Sequence, residues 1–320
     1  MKRLTGFFVL AAAIVVLAAG CARKEAPRAP KSPATEAAPQ VVQGKVSVDG
    51  IEIPYFVEGT GIPCLVTNNA LAMRRALAPE LRQTFRFIFT DLRAMVPYNK
   101  TYDLEKVTLD TFLDDIERVR AATGIDKVCV FGHSIGGLFA YEYARKYPQH
   151  ATHVIMNGTP AFYNDKLGKI IQEFWAANAS EERKAALKRN VERLKDSIAA
   201  EPHGRQRIAS YIMNSPRYFF DADADYAWLF EGEYWSPELF DRIFNVVMQG
   251  YDIAARPVLS VPIFLSLGRH DYVVPCVCWD GPRQAFPNLS YNLFDKSGHY
   301  APLEERELFD KKLVEWIKSH

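Results

Sequence analysis

The sequence predicts an α/β fold in which a mostly parallel β-sheet is covered by helices on both faces. Short apolar runs bounded by turn residues alternate with segments whose apolar residues recur at helical spacing, and this alternation is typical of β-α-β units. Hydrophobic residues make up 48% of the 320 residues, enough for a sizeable core in one or two domains. The 39 Lys and Arg residues nearly balance the 38 Asp and Glu residues, and no long basic patch predicts a nucleic-acid partner.

The N-terminal segment, residues 1–20, is expected to be a signal peptide rather than part of the fold. Two basic residues precede an apolar run at residues 7–17, which is shorter than the ~20 residues of a spanning helix. Small residues follow, and Cys21 directly after them resembles the lipobox cysteine of bacterial lipoproteins. The resemblance implies cleavage before Cys21, a lipid anchor on this cysteine and an extracytoplasmic location on a membrane of the bacterial cell envelope. An ordinary secretory signal with an incidental cysteine is the alternative.

A proline-rich tether, residues 21–43, follows the signal peptide. Proline-rich chains are extended, at ~3.1 Å per residue, and form spacers rather than domains. The folded core is therefore expected at residues 44–159 and 257–320, with an insertion at residues 160–256.

The core begins with a β-hairpin, because Asp49-Gly50 is a strong turn signal between two apolar runs. Further apolar runs are predicted to be strands: residues 63–67, 85–91, 128–132, 153–157, 261–267 and 289–294. Helical spacing of apolar residues predicts helices around residues 70–81, 109–119, 138–144 and 303–317. Asp110 is expected to cap the second of these helices.

The insertion at residues 160–256 interrupts this alternation and is predicted to be a helical cap. Its pattern is mostly helical, and it is rich in aromatic residues. An insertion after a strand, at the carboxyl end of the sheet, would cover any site located there. We expect most of its aromatic side chains to form the core of the cap, and roughly a quarter to face a pocket beneath it.

A Gly-x-Ser-x-Gly motif lies where the predicted strand at residues 128–132 turns into a helix: Gly132-His133-Ser134-Ile135-Gly136. Such a turn holds a serine in a strained conformation at the top of a sheet, with its hydroxyl exposed. The glycines avoid clashes where the strand and helix backbones crowd together. A glycine-rich turn with an incidental serine is the alternative.

Asp271 and His299 are the candidate partners of Ser134. A serine hydroxyl is a weak nucleophile near neutral pH; it needs a base, and the base needs a third group to orient it. Each of the two residues lies just past a predicted strand, and loops at the carboxyl ends of neighbouring parallel strands converge on one crevice. The sequence therefore predicts a triad. Asp295 is the competing acid, but it is expected on or at the end of a strand.

From about residue 44 to its end, the chain resembles the α/β-hydrolase superfamily, and its motifs are most similar to the proline-iminopeptidase-like branch. The resemblance is carried by the Gly-x-Ser-x-Gly turn, residues 267–271 and residues 296–305. It implies an α/β-hydrolase fold with Ser134 as nucleophile, His299 as base and Asp271 as orienting acid. It also implies that no metal or organic cofactor takes part.

The segment after the third strand departs from the family pattern. The family usually has His-Gly there, followed by a backbone N–H that completes the oxyanion hole, whereas this chain has Thr67-Asn68-Asn69-Ala70. We expect the N–H groups of Ile135 and Ala70 to be the two donors, with Asn68 or Asn69 shaping the loop. Asn69 is also a candidate substrate-binding residue. Losing one such donor typically costs ~10²–10³ in turnover, so a slow enzyme is one expectation.

Glu231 and Glu233 in the cap are further candidate substrate-binding residues. In proline iminopeptidases, acids of the cap hold the free amine of the substrate, and a carboxylate beside a cationic amine is a favourable pair. The alternative is that both are solvated surface residues, as acidic residues on helical insertions usually are.

The leading hypothesis is a lipid-anchored serine hydrolase that cleaves an ester or amide bond of a small-molecule or short peptide substrate through an acyl-enzyme. A proline iminopeptidase-type aminopeptidase, an acyltransferase with the same triad and a non-catalytic binding lipoprotein with a decayed site are the alternatives. Residues 221–225 resemble the opening of a calcium loop, but the glycine and glutamate that an EF-hand needs are missing, so no metal site is predicted. The oligomeric state and the oxidation of Cys276 and Cys278 are left open.

Overall fold

The computed structural model describes residues 41–97 and 103–320. The signal peptide, the lipidation site Cys21 and residues 22–40 of the tether lie outside the described residues, so these stay predictions. Within the described part, no helix is both long and apolar enough to cross a membrane.

A sheet of eight strands forms the centre of the described chain, and a separate two-stranded ribbon lies in the insertion. The strands are β1 Val42–Val48, β2 Ile51–Glu58, β3 Ile62–Val66, β4 Phe85–Thr90, β5 Val128–His133, β6 Ala151–Asn157, β7 Phe162–Tyr163, β8 Tyr251–Asp252, β9 Ile263–Gly268 and β10 Leu289–Phe294. The order in the large sheet is β1-β2-β4-β3-β5-β6-β9-β10. Among the described strands of this large sheet, only the pairs β1–β2 and β2–β4 are antiparallel, so the predicted mostly parallel sheet is confirmed.

The central strands are fully buried, whereas the first strand lies at an edge. Every residue of β5 and of β9 is buried, as expected for continuous apolar strands covered on both faces. The predicted hairpin joins β1 to β2, and Asp49 and Gly50 at its turn have φ values of 52° and 78°. Two-residue hairpins of this kind require positive φ at both central residues.

Helices pack on the large sheet and form most of the insertion. They are α1 Ala70–Ala76, α2 Leu109–Ala122, α3 Ile135–Lys146, α4 Asp165–Asn178, α5 Glu181–Ala199, α6 Gln206–Met213, α7 Ser215–Tyr218, α8 Pro237–Arg242, α9 Ala301–Glu304 and α10 Arg306–Ser319. The helix predicted around residues 70–81 ends early, because Pro79 disfavours helical backbone at the preceding residue and starts a separate 3₁₀ turn.

The cap of α2 differs from the prediction. Thr108 is the N-cap residue, and its backbone N–H donates to Thr111 Oγ1 over 3.1 Å. Asp110 lies inside the first turn, so its assignment as the cap was wrong. Its carboxylate is instead 2.8 Å from Lys146 Nζ of α3, and an acid in the first turn is also favoured by the helix dipole.

The insertion between β6 and β9 is helical, and its two ends are joined. It contains α4 to α8, and the ribbon of β7 and β8 pairs Phe162 with Asp252 and Tyr163 with Tyr251. The ribbon thus ties the segment that leaves the core to the segment that returns to it.

Candidate active site

Ser134 lies in a strained turn between β5 and α3. Its backbone has φ 56° and ψ −128°, a conformation that non-glycine residues rarely adopt and that clusters at functional sites. Its N–H donates to Asn157 O over 2.8 Å. At Gly132, a Cβ would be 2.0 Å from Gly136 O, so only glycine allows the strand and the helix to approach this closely.

His299 and Asp271 form a buried hydrogen-bonded pair. His299 Nδ1 is 2.6 Å from Asp271 Oδ2, and the two residues are 1% and 0% exposed. The other carboxylate oxygen, Asp271 Oδ1, accepts from the N–H groups of Val273 and Val274 at 2.9 and 2.7 Å. These three contacts fix the orientation of the carboxylate. The competing acid Asp295 is directed elsewhere, to an exposed ion pair with Arg269 at 2.7 Å.

One cavity of about 300 Å³ is lined by both Ser134 and His299. It lies between the carboxyl ends of the strands and the cap, since residues from the turn after β5, the loop after β10 and helices of the cap all line it. Its volume is at the lower end of the range for small-molecule sites. The chain thus brings the three predicted triad residues to one end of the sheet.

The loop that carries His299 is held by contacts that the sequence did not reveal. The N–H of His299 donates to Tyr218 O of the cap. Glu304 Oε2 accepts from the N–H groups of Gly298 and Tyr300 at 2.9 and 3.3 Å, and its second oxygen accepts from Phe220 N–H. Burial raises the pKa of Glu304 to about 7. Glu304 falls in a motif that resembles the family, but only the fold shows what it touches.

A second histidine, His133, also lines the cavity. Its ring centroid is 4.6 Å from that of His299. Burial and the neighbouring His299 lower the pKa of His133 well below its usual value. A neutral ring therefore stands beside His299, next to the serine.

Asn68 connects the loop after β3 to the end of the serine strand. Its side-chain Nδ2 donates to His133 O over 3.1 Å, and its Oδ1 accepts from His133 N–H over 3.2 Å. Gly136 leaves room for this amide, because a Cβ there would be 2.0 Å from Asn68 Oδ1. Asn68 therefore holds the loop that departs from the family pattern.

Ala70 and Asn69 are arranged differently from the expectation. The N–H of Ala70, the expected oxyanion donor, donates to Asp91 Oδ1 over 2.8 Å and is therefore already engaged. Asn69 has a left-handed backbone with φ 54°, lines the cavity, and has a buried Oδ1 without a hydrogen-bond partner in the described part of the chain. Ile135 is the first residue of α3, where a backbone N–H has no acceptor within the helix.

Glu231 and Glu233 do not line the cavity. Glu231 is exposed, whereas Glu233 is buried and its Oε1 accepts from Ala72 N–H over 2.8 Å. Burial raises the pKa of Glu233 to about 7. Burial and the nearby Glu233 also raise the pKa of Asp91, so two buried carboxyl groups meet at the start of α1.

The part of the chain that the structure describes contains neither a metal site nor a disulfide bond. The described residues contain no group of three or more His, Cys, Asp or Glu placed to hold a metal ion. The thiols of Cys64, Cys129, Cys276 and Cys278 are free and buried in the structure.

Comparison with known proteins defines the class of this chain. A model of the alpha/beta hydrolase fold family matches residues 62–306. The chain therefore belongs to the alpha/beta hydrolase fold family, and it is a hydrolase.

Individual relatives cover nearly the whole described chain. YclE of Bacillus subtilis, an AB hydrolase superfamily protein, is 29% identical over 271 residues, which are 84% of this chain and 96% of YclE. The proline iminopeptidase PfmaB of Pestalotiopsis fici is 25% identical over 86% of this chain and 98% of its own. A solved structure of the proline iminopeptidase of Mycobacterium smegmatis superposes with a TM-score of 0.65 at 18% identity, over 87% of this chain and 98% of that chain. The predicted resemblance to the proline-iminopeptidase-like branch is confirmed.

Proposed function

We propose that the protein is a serine hydrolase that cleaves an ester bond of a small substrate through an acyl-enzyme, and that a lipid on Cys21 anchors it to a membrane. The observation that carries the catalytic part is the pair of His299 and Asp271, joined over 2.6 Å beside a cavity that Ser134 also lines. A buried acid that orients an imidazole next to a strained serine is the arrangement that activates a serine hydroxyl.

In the proposed reaction, Ser134 Oγ attacks the carbonyl carbon of the ester while His299 Nε2 takes the hydroxyl proton. The tetrahedral intermediate collapses, the bond to the alcohol oxygen breaks, and His299 returns the proton to the departing alcohol. Water then attacks the acyl-enzyme with His299 again as base, and Ser134 is released with a free carboxylic acid. Asp271 orients His299 and stabilises the imidazolium that forms at each step.

The oxyanion is proposed to be bound by Ile135 N–H and by the side-chain amide of Asn69. The Ala70 N–H is engaged by Asp91 Oδ1 over 2.8 Å, so a second donor has to come from another group. Asn69 lines the cavity, and its side-chain Nδ2 would be the donor, since the buried Oδ1 can only accept. A side-chain amide is an established type of oxyanion donor in serine hydrolases.

An aminopeptidase that prefers N-terminal proline is the second candidate. It is favoured by the proline iminopeptidases among the relatives, such as PfmaB at 25% identity. The amine of such a substrate needs a carboxylate partner, but Glu231 is exposed and Glu233 accepts from Ala72 N–H. The locations of both acids therefore favour the esterase proposal.

The test is hydrolysis of short nitrophenyl esters and of proline arylamides by the full-length protein in detergent. We expect ester turnover that falls at least about a thousandfold in Ser134→Ala. Ser197→Ala, at a cap serine outside the cavity, should keep it. Faster turnover of the proline arylamide would favour the aminopeptidase, and ester turnover that survives Ser134→Ala would exclude the serine mechanism.

The anchor is tested separately, by mass spectrometry of the N-terminus and by membrane fractionation. The mature protein is expected to begin at a lipid-modified Cys21 and to sediment with membranes, because two or more acyl chains hold a protein stably on a bilayer. Cys21→Ala should release it. A mature N-terminus elsewhere, or a Cys21→Ala variant that stays membrane-bound, would contradict the anchor.

A further inference from the structure

Three residues that line the cap side of the cavity each have a buried polar atom that lacks a hydrogen bond of good geometry within the described residues. The atoms are Arg207 Nε, Trp235 Nε1 and the Tyr211 hydroxyl, which lies next to the hydroxyl of Tyr300. The large majority of buried polar groups in proteins are hydrogen-bonded, and each exception calls for an explanation. We refer to Arg207, Tyr211 and Trp235 as the cap donor cluster.

The members of the cap donor cluster are neighbours. The ring of Tyr211 is 5.3 Å from that of Trp235 and nearly perpendicular to it, at 88°. Arg207 Cζ is 5.5 Å from the ring centroid of Phe240, which is 5.4 Å from that of Trp235. The three residues thus belong to one wall of the cavity.

One aromatic ring, that of Tyr218, lies between this wall and the catalytic His299. The centroids of Tyr211 and Tyr218 are 3.7 Å apart, and those of Tyr218 and His299 are 5.7 Å apart. A substrate with its carbonyl at Ser134 therefore has the cap donor cluster within reach of its other end.

The described lining of the cavity includes a cationic residue but no acidic one. Among the described residues, no Asp or Glu lines the cavity, and Arg207 is the lining residue with a permanent charge. Its Nη2 donates to Asp241, whose side chain is 61% exposed, while Nε is left without an acceptor. Burial raises the pKa of Tyr163 on the cavity wall, and the charge of Arg207 opposes that shift, so its field reaches into the cavity.

We propose that the cap donor cluster binds a carboxylate on the part of the substrate that is remote from the scissile carbonyl. This inference rests on the proposed function and adds the substrate class: esters that carry a free carboxylate. A carboxylate only accepts hydrogen bonds, at two oxygens with about four acceptor sites, so it can receive all three donors at once. A guanidinium also pairs with it as a charge.

The cap donor cluster is not suited to bind a free amine. An ammonium group only donates, so it would leave the N–H groups of Arg207 and Trp235 unpaired and be repelled by Arg207. Glu233, the buried acid of the cap, is 2.8 Å from Ala72 N instead of lining the cavity. The cavity of this chain therefore selects against a cationic substrate end.

The experiment compares three nitrophenyl esters of similar length on the full-length protein. They are the half-ester of adipic acid, its methyl ester, and the ester of ε-aminocaproic acid, whose remote ends are anionic, neutral and cationic. We expect kcat/KM to be at least about tenfold higher for the anionic ester than for the neutral one, as for a hydrogen-bonded charged group, and lowest for the cationic ester. Equal values for the three esters, or a preference for the neutral or cationic ester, would overturn the proposal.

Variants locate the source of the preference. Arg207→Gln should reduce the anionic-to-neutral ratio of kcat/KM to about one, and Trp235→Phe, which keeps an aromatic ring but removes the indole N–H, should reduce it several-fold. Arg189→Gln is the matched control, because Arg189 is an exposed cap arginine paired with Asp223 at 2.8 Å and lies outside the cavity. It removes the same charge and should keep the ratio. A ratio that is unchanged in Arg207→Gln, or that falls equally in Arg189→Gln, contradicts the assignment to the cap donor cluster.

The two proposals fail in different ways. If none of the esters is hydrolysed in a Ser134-dependent manner, the proposed function itself is wrong. If Ser134-dependent hydrolysis is present but shows no preference for the carboxylate, the serine hydrolase stands and only the inference about the substrate is rejected.

Discussion

His299 Nδ1 lies 2.6 Å from Asp271 Oδ2, and both side chains are almost inaccessible to solvent. The two residues follow β10 and β9, which are adjacent parallel strands. The contact is therefore a consequence of strand order, since neighbouring parallel strands deliver their following loops to the same edge of the sheet.

Asp271→Asn is predicted to reduce kcat/KM for a nitrophenyl ester by about a thousandfold or more, because an amide cannot stabilise the imidazolium or select the reactive tautomer of His299. Steady-state kinetics measure this. Asp295→Asn is the matched control: its carboxylate is bound to Arg269 over 2.7 Å at the surface, so activity should be kept. Equal losses in the two variants would contradict the assignment of Asp271.

Asn69→Gly is predicted to reduce kcat by about 10²–10³, which is the usual cost of one lost oxyanion donor. Glycine keeps the left-handed backbone of φ 54° without strain, so the change removes the side-chain amide and little else. Asn69→Asp should be at least as slow, because a carboxylate repels the oxyanion. The affinity for a boronic acid analogue should fall in parallel with kcat. A fully active Asn69→Gly enzyme would show that the backbone supplies the second donor.

Glu304→Ala is predicted to lower kcat by loosening the loop that carries His299, since Glu304 accepts from Gly298, Tyr300 and Phe220 N–H groups. Glu304→Gln keeps an acceptor oxygen and should restore part of the activity. Kinetics and thermal unfolding are measured on both variants. If Glu304→Ala loses stability but keeps its kcat, Glu304 supports the fold and does not position His299.

Glu233→Gln is predicted to stabilise the protein above neutral pH. Burial raises the pKa of Glu233 from 4.5 to about 7, so the folded state binds more protons than the unfolded state between these values. The stability that this group contributes is present below 4.5 and is lost as the pH rises through about 7. Gln keeps the acceptor for Ala72 N–H and does not ionise, so thermal unfolding should depend less on pH.

The control for this pH dependence is Glu231→Gln, because Glu231 is exposed and shares the same short segment of the cap. Its unfolding profile should match that of the wild type. A Glu233→Gln profile that also matches the wild type would mean that Glu233 does not titrate in this range.

The sequence predicted those parts of the site that depend on local pattern and on strand order. The Gly-x-Ser-x-Gly turn is local, and the triad follows from which strands precede Asp271 and His299. The sequence did not predict contacts between segments that are far apart along the chain. The hydrogen bond from Ala72 N–H to Glu233 joins residues 161 positions apart, and nothing in the spacing of Glu231 and Glu233 indicates which of them turns inward.

The cap also has contacts that the sequence did not predict. Its helical character follows from apolar periodicity, but the cap donor cluster depends on how α6 packs against the residues around Trp235, 5.3 Å from Tyr211. Tyr211 was not singled out in the sequence, because a tyrosine on an amphipathic helix is usually a core residue. Likewise, the hydrogen bond from Ala70 N–H to Asp91 could not be predicted without knowing where two different loops meet.

Covalent labelling by a fluorophosphonate shows whether His299 activates Ser134. The rate of labelling is measured for the wild type, Ser134→Ala and His299→Ala, and the modified peptide is identified by mass spectrometry. We expect that wild-type protein is modified on Ser134, that Ser134→Ala is not modified, and that His299→Ala reacts at least about a hundredfold more slowly. Labelling of Ser134 at the wild-type rate in His299→Ala, or modification of a different residue, would show that His299 does not activate Ser134.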